Sequence, residues 1–189
     1  MNYNEEYKRW LTSAKADADV AAELKAIEND PAKIEDAFYR NLAFGTGGLR
    51  GTIGAGTNRM NVYTVAKASQ GLANYLVANF DTPSVSIGYD SRIKSDVFAK
   101  VAASVFAANG VQVNIWPQLL PVPTVSFATR YLGTSAGVMI TASHNPSKYN
   151  GYKVYWEDGA QITPPHDSGI MGEVKAISDW NTVKTMDKE

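Results

Sequence analysis

Short β-rich runs alternate with helical segments over most of this 189-residue chain. The β-rich runs lie at residues 84–89, 111–116, 136–140 and 152–156. Strands separated by helical segments of about ten residues predict a layered α/β fold with a largely parallel sheet. We therefore expect a three-layer α/β/α sandwich whose sheet has four strands and is mostly parallel. Residues 152–162 could instead form a hairpin through Glu157-Asp158-Gly159, and the sheet would then be mixed.

The helical segments between these runs have clear signals. Val65 and Leu72 repeat at helical spacing, Ser95 is a candidate N-cap, and Gly133 follows a predicted helix over residues 124–132. The first forty residues are also helical in pattern, with Asp30 and Pro31 as the start of a short helix. We expect a helical N-terminal arm over residues 1–40, a main domain over residues 41–178 and a polar tail over residues 179–189.

Composition excludes several classes of site and of location. Lys and Arg total 18 and Asp and Glu total 19, so no overall basic field favours nucleic acid as a partner. The chain has no cysteine and only two histidines, which excludes disulfides, thiolate sites and a His-rich zinc site. No apolar run is long enough for a membrane span, and the first ten residues are too charged for a signal peptide. We expect a soluble cytoplasmic protein with neither nucleic acid nor a membrane as partner.

Two loop segments are candidates for chemistry. Six of the fifteen glycines lie between Gly45 and Gly56, where the backbone must adopt positive φ angles or approach a ligand. The second segment, Thr141-Ala-Ser-His-Asn-Pro146, follows the third predicted strand, and ligands bind at the carboxyl ends of strands in open α/β sheets. Neither segment matches a P-loop, a dinucleotide fingerprint or a nucleophile elbow. Taken alone, the second segment could be an ordinary polar turn that ends at Asn-Pro.

Three segments together resemble one enzyme family. The loop at Thr141 and the following Tyr149-Asn-Gly-Tyr-Lys153 resemble the phosphoserine loop of the α-D-phosphohexomutases, which include phosphoglucomutases and phosphomannomutases. Phe44-Gly-Thr-Gly-Gly-Leu-Arg-Gly51 and Gly88-Tyr-Asp-Ser-Arg92 resemble two further segments of that family, in the same order. The resemblance implies an intramolecular phosphotransferase that interconverts sugar 1-phosphates and 6-phosphates through a phosphoserine and a sugar 1,6-bisphosphate.

The resemblance also implies catalytic roles. Ser143 would carry the phosphoryl group, and Arg50 would offer a charged fork to phosphate oxygens. Lys153 would accept the proton of the sugar hydroxyl, which requires nearby positive charge and partial burial; Arg50 could supply that charge. His144 would hydrogen-bond the serine phosphate or a sugar oxygen.

A second set of residues would bind phosphate or support the loops. For Arg92, holding the Ser143 loop through Asp90 and touching phosphate directly are both open alternatives. The set consists of Thr141, Asn145, Arg92, Gly47 and Gly48.

The family has four domains, and this sequence matches only the first. The resemblance implies Mg²⁺ with an oxygen of phosphorylated Ser143 as one ligand, the other ligands belonging to a domain without counterpart here. The expected partners are a sugar phosphate and three further domains, and the chain alone is expected to be inactive. Phosphopentomutase, phosphoglucosamine mutase and a non-catalytic sugar-phosphate-binding module remain alternatives, and the identity of the sugar stays open.

Overall fold

The computed structural model describes residues 2–45 and 47–186. Helices and strands alternate after a purely helical start. In chain order they are α1 (Tyr3–Ser13), α2 (Ala18–Ala26), α3 (Pro31–Phe38), β1 (Phe44–Gly45), β2 (Gly48–Thr52), α4 (Val62–Asn79), β3 (Ser84–Tyr89), α5 (Ser95–Ala108), β4 (Gln112–Ile115), α6 (Val122–Leu132), β5 (Ala136–Ile140), β6 (Tyr149–Trp156) and α7 (His166–Ala176), followed by a 3-10 helix (Trp180–Thr182).

One sheet organises the molecule, with the strand order β1-β2-β6-β5-β3-β4. Strand β3 is parallel to both β4 and β5, whereas β6 is antiparallel to β5 and to β2. Helices α4, α5 and α7 supply buried side chains on one face, and Val125 of α6 packs on the other face with Met139 and Tyr155. The predicted three-layer α/β/α class with a mixed sheet is therefore confirmed.

The sheet has six strands rather than the four expected. The glycine-rich segment, predicted to be a loop, contributes β1 and β2, and β2 pairs along its whole length with β6. Three of the five strand pairings are antiparallel, so the sheet is less parallel than expected. The predicted hairpin after β6 is reduced to a turn and one isolated bridge between Tyr155 and Gln161. The glycines hid β1 and β2 because strands are normally depleted in glycine.

Central strand β5 lies under helices on both faces, and all five of its residues are buried. That pattern is typical of a strand covered on both sides. The loop that carries Ser143 begins at the carboxyl end of this strand, so its first residues continue from a rigid element.

Of the first forty residues, the described ones, 2–40, form three short helices with their own apolar cluster. Trp10 and Phe38 are its largest fully buried members, and their rings meet edge to face with centroids 5.5 Å apart. Asp17 and Asp30 cap α2 and α3 through their side chains. Of the tail predicted over residues 179–189, Trp180 packs on Trp10 with ring centroids 4.4 Å apart, and residues 187–189 lie outside the described part. No helix within residues 2–45 and 47–186 has both the length and the apolar character needed to cross a membrane.

Candidate active site

Ser143 lies just beyond β5, in a turn of unusual backbone geometry. Its side chain is exposed, and its φ of 56° places it in the left-handed region. The Ser143 N–H donates to Thr141 Oγ1 at 3.0 Å, and Thr141 itself is buried. A non-glycine residue in this region costs of the order of 1 kcal/mol and persists only where its surroundings impose it. The loop thus presents the Ser143 hydroxyl to solvent from a fixed main-chain position.

Arg92 holds this turn through its guanidinium. Its Nη2 donates to the carbonyl oxygens of Ser143 and Asn145, both at 2.6 Å. Its Nη1 donates to the carbonyl oxygens of Pro146 and Tyr149 at 3.1 and 3.0 Å. One planar fork therefore joins four main-chain oxygens of the loop, an arrangement that favours the loop-supporting alternative for Arg92.

Asp90 connects the Arg92 clamp, meaning the Arg92 guanidinium and the four carbonyl oxygens that it joins, to the end of β3. Its Oδ2 accepts from the Thr141 hydroxyl at 2.5 Å and lies 3.6 Å from Arg92 Nε. Its Oδ1 accepts from the Ser95 hydroxyl at 2.9 Å and from the Arg92 N–H at 3.0 Å. The carboxylate thus ties together β3, the start of α5 and the Ser143 loop.

Two residues of this network went unrecognised in the sequence. Ser95 was expected to cap α5, but Lys94 occupies the N-cap position with a φ of 61° and Ser95 is the first helical residue. Its hydroxyl accepts from Asn150 Nδ2 at 3.0 Å, and Asn150 is fully buried. Asn150 lies inside the Tyr149–Lys153 motif, so the sequence could have marked it as a candidate site residue. The motif alone did not show which groups Asn150 would contact.

Arg50 and Lys153 lie on one face of the sheet. Arg50 pairs with Gly151 across β2 and β6, and Lys153 follows two residues later, so both side chains project from the same face. Arg50 Nη1 donates to Asn145 Oδ1 at 3.3 Å, which brings its guanidinium to the Ser143 loop. Among residues 2–45 and 47–186, neither cation has a carboxylate within 4.0 Å. One cation without a carboxylate partner, Arg50, therefore contacts the loop, and a second, Lys153, lies on the same face of the sheet.

Tyr152 marks the opposite face. It is fully buried against α4, and its phenol oxygen accepts from the Ser69 hydroxyl at 3.1 Å. Burial raises the pKa of Tyr152 well above its ordinary value. This tyrosine stays neutral in the core, while Lys153, its partly buried neighbour, faces the other way.

His144 stands next to the proposed phosphoryl carrier. Its Nδ1 lies 3.4 Å from Ser143 Oγ, and its ring is exposed. The distance permits a weak hydrogen bond to the hydroxyl. The structure thus brings together Ser143, His144, Arg50 and Asn145 at one loop.

The two glycines predicted to bind phosphate or to support the loops have structural reasons to be glycine. Gly47 has a φ of 86°, and Gly48 has a φ of 140°. A Cβ on Gly48 would lie 1.8 Å from the carbonyl oxygen of Tyr152. The close passage of β2 along β6 therefore requires glycine at position 48. Thr46 of the same segment lies outside the described residues, as does the side chain of Phe44.

The described residues do not form a metal cage by themselves. Within residues 2–45 and 47–186, no group of three or more histidine, aspartate or glutamate side chains could hold an ion. Mg²⁺ requires near-octahedral oxygen coordination, and Ser143 offers a single oxygen. The residues present thus fit one ligand of a shared magnesium site and no more.

Comparison with known proteins identifies a family for this arrangement. The family model described as phosphoglucomutase/phosphomannomutase, alpha/beta/alpha domain I, matches residues 41–180. A probable phosphoribomutase of Schizosaccharomyces pombe is 50% identical over 144 residues, which cover 75% of this chain and 24% of that protein. The human phosphopentomutase is 38% identical over 188 residues, which cover 94% of this chain and 31% of that protein.

A solved structure agrees with these sequence matches. A candidate phosphomannomutase from Thermus thermophilus superimposes with a TM-score of 0.67 and 30% identity, covering 71% of this chain and 30% of that one. The chain thus spans about a quarter to a third of the length of the relatives it matches.

Proposed function

Because the chain belongs to the phosphoglucomutase/phosphomannomutase family, we propose that it is the phosphoryl-carrying N-terminal domain of an enzyme that interconverts sugar 1-phosphates and 6-phosphates. The observation that carries this proposal is the exposed Ser143, fixed at positive φ by Arg92 and bordered by the unpaired cation Arg50. Strained, exposed nucleophiles beside unpaired cations are typical of sites that handle phosphate.

At the start of the first step, Ser143 already carries the phosphoryl group, and the sugar monophosphate presents a free hydroxyl to it. The bond between phosphorus and Ser143 Oγ breaks as a bond to the sugar oxygen forms, which gives the 1,6-bisphosphate. Lys153 accepts the proton from the attacking sugar hydroxyl, and Arg50 offsets charge on the transferring oxygens.

In the second step, the bisphosphate presents its other phosphate to Ser143. The serine oxygen attacks that phosphorus, the sugar oxygen leaves, and the proton held by Lys153 returns to it. Charge and protons balance over the cycle, and the enzyme regains its phosphoserine. His144 hydrogen-bonds the Ser143 oxygen while the Arg92 clamp keeps the carrier in place.

Magnesium remains part of the proposal only as an ion to which an oxygen of phosphorylated Ser143 would be one ligand. When bound, it would withdraw charge from the phosphoryl group. Since the described residues offer one oxygen for it, no step is assigned to the metal.

The identity of the sugar phosphate substrate is a separate question. Relatives of comparable identity are named phosphoglucomutase, phosphopentomutase and phosphoribomutase, so the assay must include both hexose and pentose 1-phosphates.

A chimera tests the proposal. Residues 41–180 replace the matched segment of the S. pombe relative, and the product is assayed with glucose 1-phosphate and ribose 1-phosphate. We expect turnover and a phosphoserine at Ser143 by mass spectrometry. Ser143→Ala should abolish turnover, and Lys153→Met should lower kcat by about 10²–10⁴-fold with KM little changed, because proton transfer is lost.

Ser147 provides the matched control, since it is an exposed serine four residues along the same loop. Ser147→Ala should leave turnover within about twofold of the parent chimera. Phosphate found on Ser147, or turnover that survives Ser143→Ala, would contradict the assigned role. A folded chimera that binds sugar phosphate without turnover would favour the binding-module alternative.

A further inference from the structure

A cleft of about 380 Å³ lies on the face of the sheet away from Ser143. It is enclosed by α1, α4, α7, the 3-10 helix and the segment before β1. Leu49 of β2 lines it, whereas the next residue, Arg50, projects from the opposite face toward the Ser143 loop. The sheet therefore separates this cleft from the phosphoryl site, and its volume suits a small organic molecule.

The walls of the cleft are rich in aromatic surface. Trp180 lies with its ring centroid 4.4 Å from that of Trp10 and 5.0 Å from that of Tyr63. Met171 and Val174 of α7 complete an apolar wall. Such a surface favours a flat apolar ring, because planar rings bury large area against aromatic side chains.

The charged groups of the cleft are unbalanced. Arg9, Lys67 and Lys175 line it against one carboxylate, that of Glu6. Glu6 Oε1 is already engaged, since it accepts from Arg9 Nη2 and, at 3.1 Å, from Trp10 Nε1. The surplus is therefore positive.

Among the residues that the structure describes, two donors in the cleft have no hydrogen-bond or ion-pair partner. Arg9 Nε is buried and makes no hydrogen bond. Within the described ranges, 2–45 and 47–186, the Lys67 amine forms no ion pair within 4.0 Å. Burial, with the charge of Arg9 as a second cause, lowers the pKa of Lys67. An unpaired, half-buried cation loses solvation that a bound anion would restore.

We propose that this cleft is a binding site for a small organic anion built on a flat apolar ring, such as an aromatic carboxylate, sulfonate or phosphate ester. Its anionic group pairs with Lys67, and its ring lies against Trp180 and Tyr63. The proposal goes beyond the phosphoryl chemistry at Ser143 and does not depend on it.

Two dyes of nearly equal shape test the proposal with this 189-residue chain. The anionic probe is 1-anilinonaphthalene-8-sulfonate, and N-phenyl-1-naphthylamine has the same ring system without the sulfonate. Fluorescence titration should give one saturable site for the anionic dye and at least tenfold weaker binding for the neutral dye. A charged hydrogen bond of about 1.4 kcal/mol corresponds to that tenfold change.

Variants locate the dye. Lys67→Met should weaken binding of the sulfonate about tenfold, and Lys67→Arg should restore it. Lys8→Met removes an exposed lysine of α1 outside the cleft and should change nothing. Ala43→Phe places a ring in the cleft, which Ala43 lines, and should block both dyes.

The same titrations can overturn the proposal. No saturable binding, equal affinity for the two dyes, or equal binding by Lys67→Met and the parent would each do so. If the circular dichroism spectrum of Lys67→Met differs from that of the parent, the variant is misfolded and its titration is set aside. The Ala43→Phe titration and the comparison of the two dyes then test the proposal. Binding that survives Ala43→Phe in a folded variant would place the dye elsewhere and refute the assignment.

Discussion

At the scale of single residues, the Ser143 loop depends on the four carbonyl oxygens that Arg92 joins. A lysine could not replace it, because one ammonium cannot reach four oxygens in a plane. Arg92→Ala should lower the free energy of unfolding by about 3 kcal/mol, since hydrogen bonds to charged groups are each worth about 1.5–3 kcal/mol and are not additive. Urea unfolding measures the loss. Arg130→Ala, at an exposed arginine of α6, should stay within about 0.5 kcal/mol of the parent, and an equal loss in both variants would argue against the clamp.

Gly48 is a second residue on which the fold depends. Gly48→Ala would force its Cβ into the Tyr152 carbonyl oxygen and hold alanine at a φ of 140°. We expect a loss of about 3 kcal/mol, measured by urea unfolding. Gly172→Ala in α7 is the matched control, because a Cβ there meets nothing within 4 Å. It should be neutral or stabilising by up to about 1 kcal/mol. A tolerated alanine at position 48 would show that β2 is not held so close to β6.

At the scale of elements, the N-terminal arm is joined to the clamp region by an ion pair. Lys94 Nζ lies 2.7 Å from Asp19 Oδ2, and Lys94 is the residue before α5. That turn also carries Arg92 and, four residues before Lys94, Asp90. Helix α2 is therefore attached to the same short connection that positions the Ser143 loop.

This contact has a defined dependence on pH. The hydrogen bond from Lys94, aided by its charge, lowers the pKa of Asp19 below its ordinary value. A carboxyl with a lowered folded-state pKa stabilises the fold above its unfolded-state pKa, and the stabilisation is lost as pH falls through the folded-state value. Asp19→Asn should therefore unfold more easily than the parent at pH 6, and the difference should shrink below about pH 4. Thermal unfolding across this range measures it.

The control is Asp81→Asn, which alters an exposed aspartate outside any ion pair of the described ranges 2–45 and 47–186. Its difference from the parent should be small at every pH. A pH-independent effect of Asp19→Asn would contradict the assigned ion pair.

The elements also show why some structure was predictable. The bounds of β3 and β5 matched the sequence prediction, since both are short β-rich runs bounded by polar or turn residues. Strand β2 was missed because its glycines are required by its passage along β6, a contact with residues about a hundred positions away. Local propensity records the glycine but not the neighbour that demands it.

The site divides in the same way. The motifs pointed to Ser143, Arg50 and Lys153, since each lies inside a segment with a recognisable pattern. The roles of Asp90 and Asn150 could not be predicted in full, because Asp90 binds Thr141 and Asn150 binds Ser95, each more than fifty residues away in sequence. Hydrogen bonds between residues so far apart in sequence depend on the order of the strands in the sheet. The sequence did not determine that order, because β1 and β2 were not predicted.

At the scale of the whole molecule, the sheet separates the Ser143 site from the aromatic cleft. One face and its carboxyl edge carry Ser143 and its cations, while the other face carries the main core and the aromatic cleft. The arm closes the cleft through Trp10 and forms a second apolar cluster beside the core. A single strand, β2, contributes Arg50 to one side and Leu49 to the other.

The same view predicts what the 189-residue chain can do alone. It should fold cooperatively yet show no interconversion of glucose 1-phosphate and glucose 6-phosphate in a coupled assay. The described residues supply the proposed phosphoryl carrier and its neighbouring cations but no metal cage, and the chain covers 31% of the human phosphopentomutase. Much of the rate of phosphoryl transfer comes from holding both reactants in one site, worth about 7–11 kcal/mol. The phosphoglucomutase of Staphylococcus haemolyticus serves as the positive control with glucose 1-phosphate, and the human phosphopentomutase serves as the positive control with ribose 1-phosphate. Turnover that rises in proportion to this chain and disappears in Ser143→Ala would show that one domain is sufficient.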